Sequence, residues 1–162
     1  MNDDSKNSEY QFILHFDGCC KGNPGPGGAG AVLYKNDKEI WSDCIFVGEK
    51  VTNNISEYAG LLMGLQFATN QSNIKNLIIK GDSLLVIKQM KGEYKVNSEN
   101  IKELFKKAKE YEKQIGNVEY LHVYRKDNKR ADELSNKGLS NKGLSNKGLS
   151  NNGLLISNQR NI

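Results

Sequence analysis

The 162-residue chain is short of several residue types, and each shortage excludes something. Its three cysteines, Cys19, Cys20 and Cys44, are too few and too unevenly spaced for a disulfide scaffold or a zinc ribbon. They read as reduced thiols, so a cytoplasmic protein is expected, with the nucleus as the alternative. Two histidines rule out a histidine-rich metal centre. A bound metal would have to be held by oxygen, which selects a hard ion such as Mg2+ or Mn2+. No apolar run approaches the roughly 20 residues of a membrane-spanning helix. The opening MNDDSKNSEY is neither a signal peptide nor an Arg-rich transit peptide, and no membrane role is expected. Charge of one sign is also scarce. The net charge is +4, and most of it sits at the C-terminus, where Lys137, Lys142, Lys147 and Arg160 face Glu133 alone. The body is near neutral, so charge points only weakly to nucleic acid.

What is present divides into an arm, a domain and a tail. Residues 1–9 read as a flexible arm. Residues 135–139, 140–144 and 145–149 all spell SNKGL, and 150–154 spell SNNGL. A five-residue period fits neither helix nor strand. A glycine in every unit costs a helix about 1 kcal/mol relative to alanine. The repeat therefore reads as low-complexity tail, with residues 140–162 expected to be disordered and 10–139 to form the domain. Within the domain, 11–17 read as a buried strand. Residues 29–35 and 39–47 read as a hairpin about Asn36-Asp37, and 76–81 and 118–124 as further strands. Helical spacing marks residues 53 to about 70, 83 to about 90, and a stripe of Ile101, Leu104, Phe105, Ala108, Tyr111 and Ile115. A last helix from Lys129 should stop near Gly138. The order β-β-β-α-β-α-α-β-α implies an α/β domain: an antiparallel meander followed by crossovers, hence a mixed sheet flanked by helices.

Four acids occupy informative positions. Asp17 and Asp82 close apolar strands, and Glu57 and Asp132 lie in the first turns of helices. In open mixed sheets, active groups gather beyond the carboxyl ends of strands. Carboxylates emerging from apolar strands are costly unless compensated, and converging ones suit a pair of divalent ions clamping a phosphodiester. Each acid alone is better read as a cap or turn residue, and spacing does not show convergence. The GxGxxG at Gly25, Gly27 and Gly30 precedes a strand rather than opening a helix. It is a glycine-rich turn and no dinucleotide fingerprint. Walker A and HExxH segments are absent. Thr52-Asn53-Asn54 starts the first long helix, where capping and a nucleic-acid backbone contact are both open readings.

Taken together, Asp17–Gly30 (DGCCKGNPGPGGAG), Thr52–Tyr58 (TNNISEY), Gly81-Asp82-Ser83 and Asn128–Leu134 (NKRADEL) resemble the four motifs of type 1 ribonuclease H, in order, across about residues 10–139. The resemblance implies a five-stranded mixed sheet of strand order 3-2-1-4-5 flanked by helices. It implies hydrolysis of the RNA strand of an RNA–DNA hybrid, leaving 5′-phosphate and 3′-hydroxyl ends. Asp17, Glu57, Asp82 and Asp132 match the family's catalytic, metal-binding carboxylates, holding two Mg2+ ions with Mn2+ as the alternative. Gly18, Cys19, Asn23, Asn53 and Asn54 match its RNA-strand contacts. Lys50 and Thr52 match a DNA-phosphate pocket, which Asn97 or Ser98 would complete. A monomer without a small-molecule cofactor is expected. Alternatives are an inactive hybrid-binding module, another two-metal nuclease of this fold, and a domain derived from a reverse transcriptase.

The chain departs from the family pattern in three ways. The segment Tyr124-Arg125-Lys126-Asp127 has no loop histidine, and Arg125 or Lys126 is the candidate substitute. His122, inside a strand, is assigned to packing or pairing. Lys91–Lys95 runs straight on to the third helix with no basic protrusion, and no hybrid-binding domain precedes the motifs. Trp41 is read as hairpin packing, Lys106, Lys107 and Lys109 as a solvated helix face, and a cysteine nucleophile is not expected.

Overall fold

The structure, a computed structural model, describes residues 11–141. The arm expected over 1–9, and the tail from residue 142 on, lie outside the described residues. Strand β1 (Phe12–Cys20) pairs antiparallel with β2 (Gly25–Lys35), and β2 with β3 (Lys38–Val51). Helix α1 (Asn53–Thr69) crosses to β4 (Asn76–Gly81), which lies parallel to β1. Helices α2 (Leu84–Met90) and α3 (Glu99–Ile115) lead to β5 (Asn117–His122), parallel to β4. A 3-10 turn (Arg125–Asp127) and α4 (Lys129–Ser140) follow. The sheet order is β3-β2-β1-β4-β5, as the resemblance implies.

Local chemistry accounts for these elements. Asn36 and Asp37 both take left-handed backbone (φ 50° and 70°), the requirement of a two-residue hairpin turn that matches strand twist. Thr52 caps α1, its Oγ1 accepting from Ile55 N at 3.2 Å. Helix α1 buries Tyr58, Leu61, Leu62 and Leu65 against Leu14 and Phe16 of β1. The stripe of α3 covers its other side with Ile101, Leu104, Ala108, Tyr111 and Ile115. Trp41 stacks on Phe67 at 4.4 Å between centroids, so it is packed onto α1. Lys107 and Lys109 pair with Glu110 and Glu112 along α3. Among the described residues no helix is long and apolar enough to cross a membrane.

Two glycine contacts set the position of the site. A Cβ on Gly60 of α1 would stand 2.5 Å from the Asp17 carbonyl, so α1 lies directly on β1. A Cβ on Gly28 of β2 would stand 2.3 Å from the Ser135 carbonyl, so α4 presses equally closely on the opposite face.

Several boundaries differ from the sequence expectation. β1 does not end at Asp17 but continues to Cys20, because Gly18–Cys20 pair with Gly27–Ala29. Most of the supposed glycine turn is therefore strand β2, which begins at Gly25. β5 ends at His122 rather than residue 124. Helix α4 runs through Gly138 to Ser140. The first SNKGL unit is thus helical: tertiary contact on Gly28 overrides the propensity penalty.

Candidate active site

Asp17 sits within β1 opposite Gly30, Glu57 one turn into α1, and Asp82 just past β4. The close approach of α1 to β1 brings Glu57 over Asp17, and the parallel β1–β4 pairing sets Asp82 beside it. Each of the three offers a carboxylate oxygen, and these atoms lie within 4.8 Å of one another. Asp132, in the first turn of α4, lines the same cleft of about 430 Å3. It stands outside the tight trio, with Arg125 Nη2 3.7 Å and Asn136 Nδ2 3.4 Å from its Oδ1.

The electrostatics are those of buried like charges held close together. Burial, then the charge of Asp82 and the contact with Asp132, push Asp17 up to about 7. Burial and the charges of Asp17 and Asp82 hold Glu57 well above the usual carboxylate range. Glu57 Oε1 is buried with no hydrogen-bond partner among the described residues, which few buried polar atoms tolerate. Hard oxygen donors that repel one another, one of them orphaned, fit a divalent cation. Burial also raises the thiols of Cys19 and Cys20, the wrong direction for a nucleophile.

The nucleic-acid candidates divide. Gly18, Cys19 and Asn53 line the cleft, and Asn23 Oδ1 accepts from Asn53 N at 3.0 Å, joining the glycine turn to the start of α1. Asn54 lies half-buried in the first turn of α1. Lys50 is exposed at the end of β3 and Thr52 caps α1; neither is among the cleft-lining residues.

His122 has the strand pairing expected of it, in register with Gly81, but it is exposed and lines the cleft rather than packing. Its Nε2 lies 3.3 Å from the Asp82 carbonyl, and its ring meets Tyr124 edge-on. Two residues that sequence reasoning passed over also support the site. Asn128, 1% exposed, donates from Nδ2 to the Phe16 carbonyl at 2.9 Å and meets His15 Nδ1 through Oδ1 at 2.9 Å. It ties the start of α4 to the strand carrying Asp17. Ser135 is fully buried, its Oγ 3.3 Å from Asp17 Oδ2. Its place in the first repeat unit concealed it.

Carboxylates gathered where β1 and β4 meet the helices of a mixed sheet are the donor set that metal-assisted phosphodiester hydrolysis requires. The family model described as "Reverse transcriptase-like" matches residues 15–138. A ribonuclease H of Pseudomonas putida is 33% identical over 77% of this chain and 90% of its own length. The chain belongs to the type 1 ribonuclease H family. The bifunctional protein Rv2228c of Mycobacterium tuberculosis is 33% identical, but the chain spans only 35% of its length. The solved N-terminal RNase H domain of that protein superposes with a TM-score of 0.77 at 32% identity, covering 81% of this chain and 94% of that one. LC11-RNase H1, solved in complex with an RNA/DNA hybrid, gives 0.75 at 31% identity, covering 83% and 100%.

Proposed function

We propose that the protein is an endoribonuclease that hydrolyses the RNA strand of RNA–DNA hybrids, leaving 5′-phosphate and 3′-hydroxyl ends. The observation that carries this reading is the carboxylate trio with the partnerless Glu57 Oε1. The hybrid in complex with the similar LC11-RNase H1 supports the substrate class. Asp17, Glu57, Asp82 and Asp132 would hold two Mg2+ ions, or Mn2+. Bound there, the ions would supply Lewis-acid activation of water and stabilise the leaving oxygen. The chain's own residues orient the substrate. Asn23, Asn53 and Asn54, with the backbone of Gly18 and Cys19, offer amide donors and acceptors to the 2′-hydroxyls that distinguish RNA from DNA. Lys50 and Thr52, away from the cleft, take a phosphate of the DNA strand. Arg125, with its Nη2 3.7 Å from Asp132 Oδ1, is the candidate substitute for the loop histidine that this chain lacks. A monomer acting in the cytoplasm, in the branch lacking loop histidine and basic protrusion, completes the proposal.

The test presents one labelled strand in an RNA–DNA hybrid, an RNA duplex and a DNA duplex, with Mg2+, Mn2+ or EDTA. Metal-dependent cutting confined to the hybrid's RNA is expected. Hybrid binding without cutting in either metal would leave a binding module instead, and a cut DNA duplex would indicate another nuclease of this fold.

A further inference from the structure

Ser135 stands apart from the residues of the four motifs. It lies one helical turn beyond Asp132 in α4 and is fully buried. The glycine strip of β2 admits the backbone of this residue: a Cβ on Gly28 would meet the Ser135 carbonyl at 2.3 Å, and one on Gly30 would meet its amide nitrogen at 2.7 Å, so α4 lies directly on the sheet here and the side chain is fully enclosed. Alanine would fit the same enclosure and has the higher helix propensity. The hydroxyl therefore needs a separate account.

It has one proton and two acceptors. The Asp132 carbonyl lies at 2.9 Å and Asp17 Oδ2 at 3.3 Å. The first is the ordinary back-bond of a helical serine. The Asp132 carbonyl, however, also accepts from Asn136 Nδ2 at 2.9 Å, so it keeps a partner when the hydroxyl turns away. An ionised Asp17 then takes the proton in a charge-assisted bond, the stronger of the two. A donor on Oδ2 fixes the rotation of the Asp17 carboxylate relative to Glu57 and Asp82. Because the donor belongs to α4, it also couples the helix carrying Asp132 to the strand carrying Asp17.

We propose that Ser135 is a positioning residue for the cation site, holding the Asp17 carboxylate in its ligating orientation through its hydroxyl. The inference rests on the metal reading of the carboxylate cluster given above. Groups that orient metal ligands typically change affinity 10–100-fold when removed. With a 3.3 Å contact, a loss of about tenfold, at the lower end of that range, is expected.

The experiment measures Mn2+ affinity of the full chain without nucleic acid, from the free-ion signal in electron paramagnetic resonance, for native protein, Ser135→Ala and Ser135→Cys. Apo melting temperatures are recorded alongside. Ser135→Ala should bind Mn2+ about tenfold more weakly while melting where the native protein does. Ser135→Cys, similar in size with a weaker donor, should fall between. Native-like Mn2+ affinity in Ser135→Ala overturns the proposal, as does a loss that scales with a fall in apo melting temperature in both variants. Native protein that binds no Mn2+ would instead overturn the metal reading itself, and this inference with it.

Discussion

Replacing Asp17 with asparagine should stabilise the metal-free protein while abolishing its chemistry. The substitution keeps the shape and removes a charge from a buried cluster. Asp17 moves from 3.8 to about 7 on folding, chiefly through burial and then the charge of Asp82. A carboxyl raised in this way adds stability at low pH, where it is protonated in both states. That stability is lost as pH rises through the folded value. At pH 8, where the group is ionised, it therefore penalises the fold by about 4 kcal/mol; at pH 5, where folding makes it take up a proton, by less than half of that. Asparagine carries no such penalty, so in EDTA Asp17→Asn should melt roughly 8–16 °C above native protein at pH 8. The gain should shrink to less than half at pH 5. Added Mg2+ should raise the native melting temperature and leave the variant's unchanged. Cleavage of hybrid should fall about a thousandfold, matching several kcal/mol of lost transition-state charge stabilisation. Thermal melts by circular dichroism at both pH values decide the matter. A variant no more stable than native at pH 8, or one with an equal gain at pH 5, refutes the reasoning.

Asn128→Ala should cost about 2–3 kcal/mol in urea unfolding, since it removes the buried donor to the Phe16 carbonyl and the partner of His15. Gly138→Ala sets two effects against each other. In an exposed helix it would stabilise by about 1 kcal/mol. Here the added Cβ would meet the Ile45 carbonyl at 2.2 Å, and a net loss of about 1–3 kcal/mol is expected from urea titration.

Much of the site could be read in the chain because its acids are embedded in distinctive local sequence. Asp17 and Asp82 follow apolar runs that only a buried strand explains, and Glu57 and Asp132 follow helix-start signals. What spacing could not supply was their convergence. That depends on α1 lying on β1 through Gly60, a contact between a residue without a side chain and a backbone carbonyl. The same blindness shortened β1 and β2. Gly25–Gly30 present almost no side-chain pattern, so their pairing with Gly18–Cys20 leaves no periodicity to detect. Gly138 was read as a stop because propensity is a local quantity. In the fold that glycine faces the Ile45 carbonyl, and its missing side chain is what admits the helix to the sheet. His122 was placed in its strand, but its exposure at the cleft was not legible, for a related reason. An alternating strand shows two faces but not which of them ends at a cleft.

The helical status of the first SNKGL unit bears on how this gene can vary. Tandem units of identical sequence gain and lose copies readily, and such changes usually corrupt whatever structure they overlap. Here three successive units are identical over residues 135–149. Removing any one of them restores the same residues at 135–144, and inserting another does likewise. Ser135, Gly138 and the end of α4 at Ser140 are therefore regenerated after every such event, and the sheet-facing part of the helix is insulated from copy-number drift.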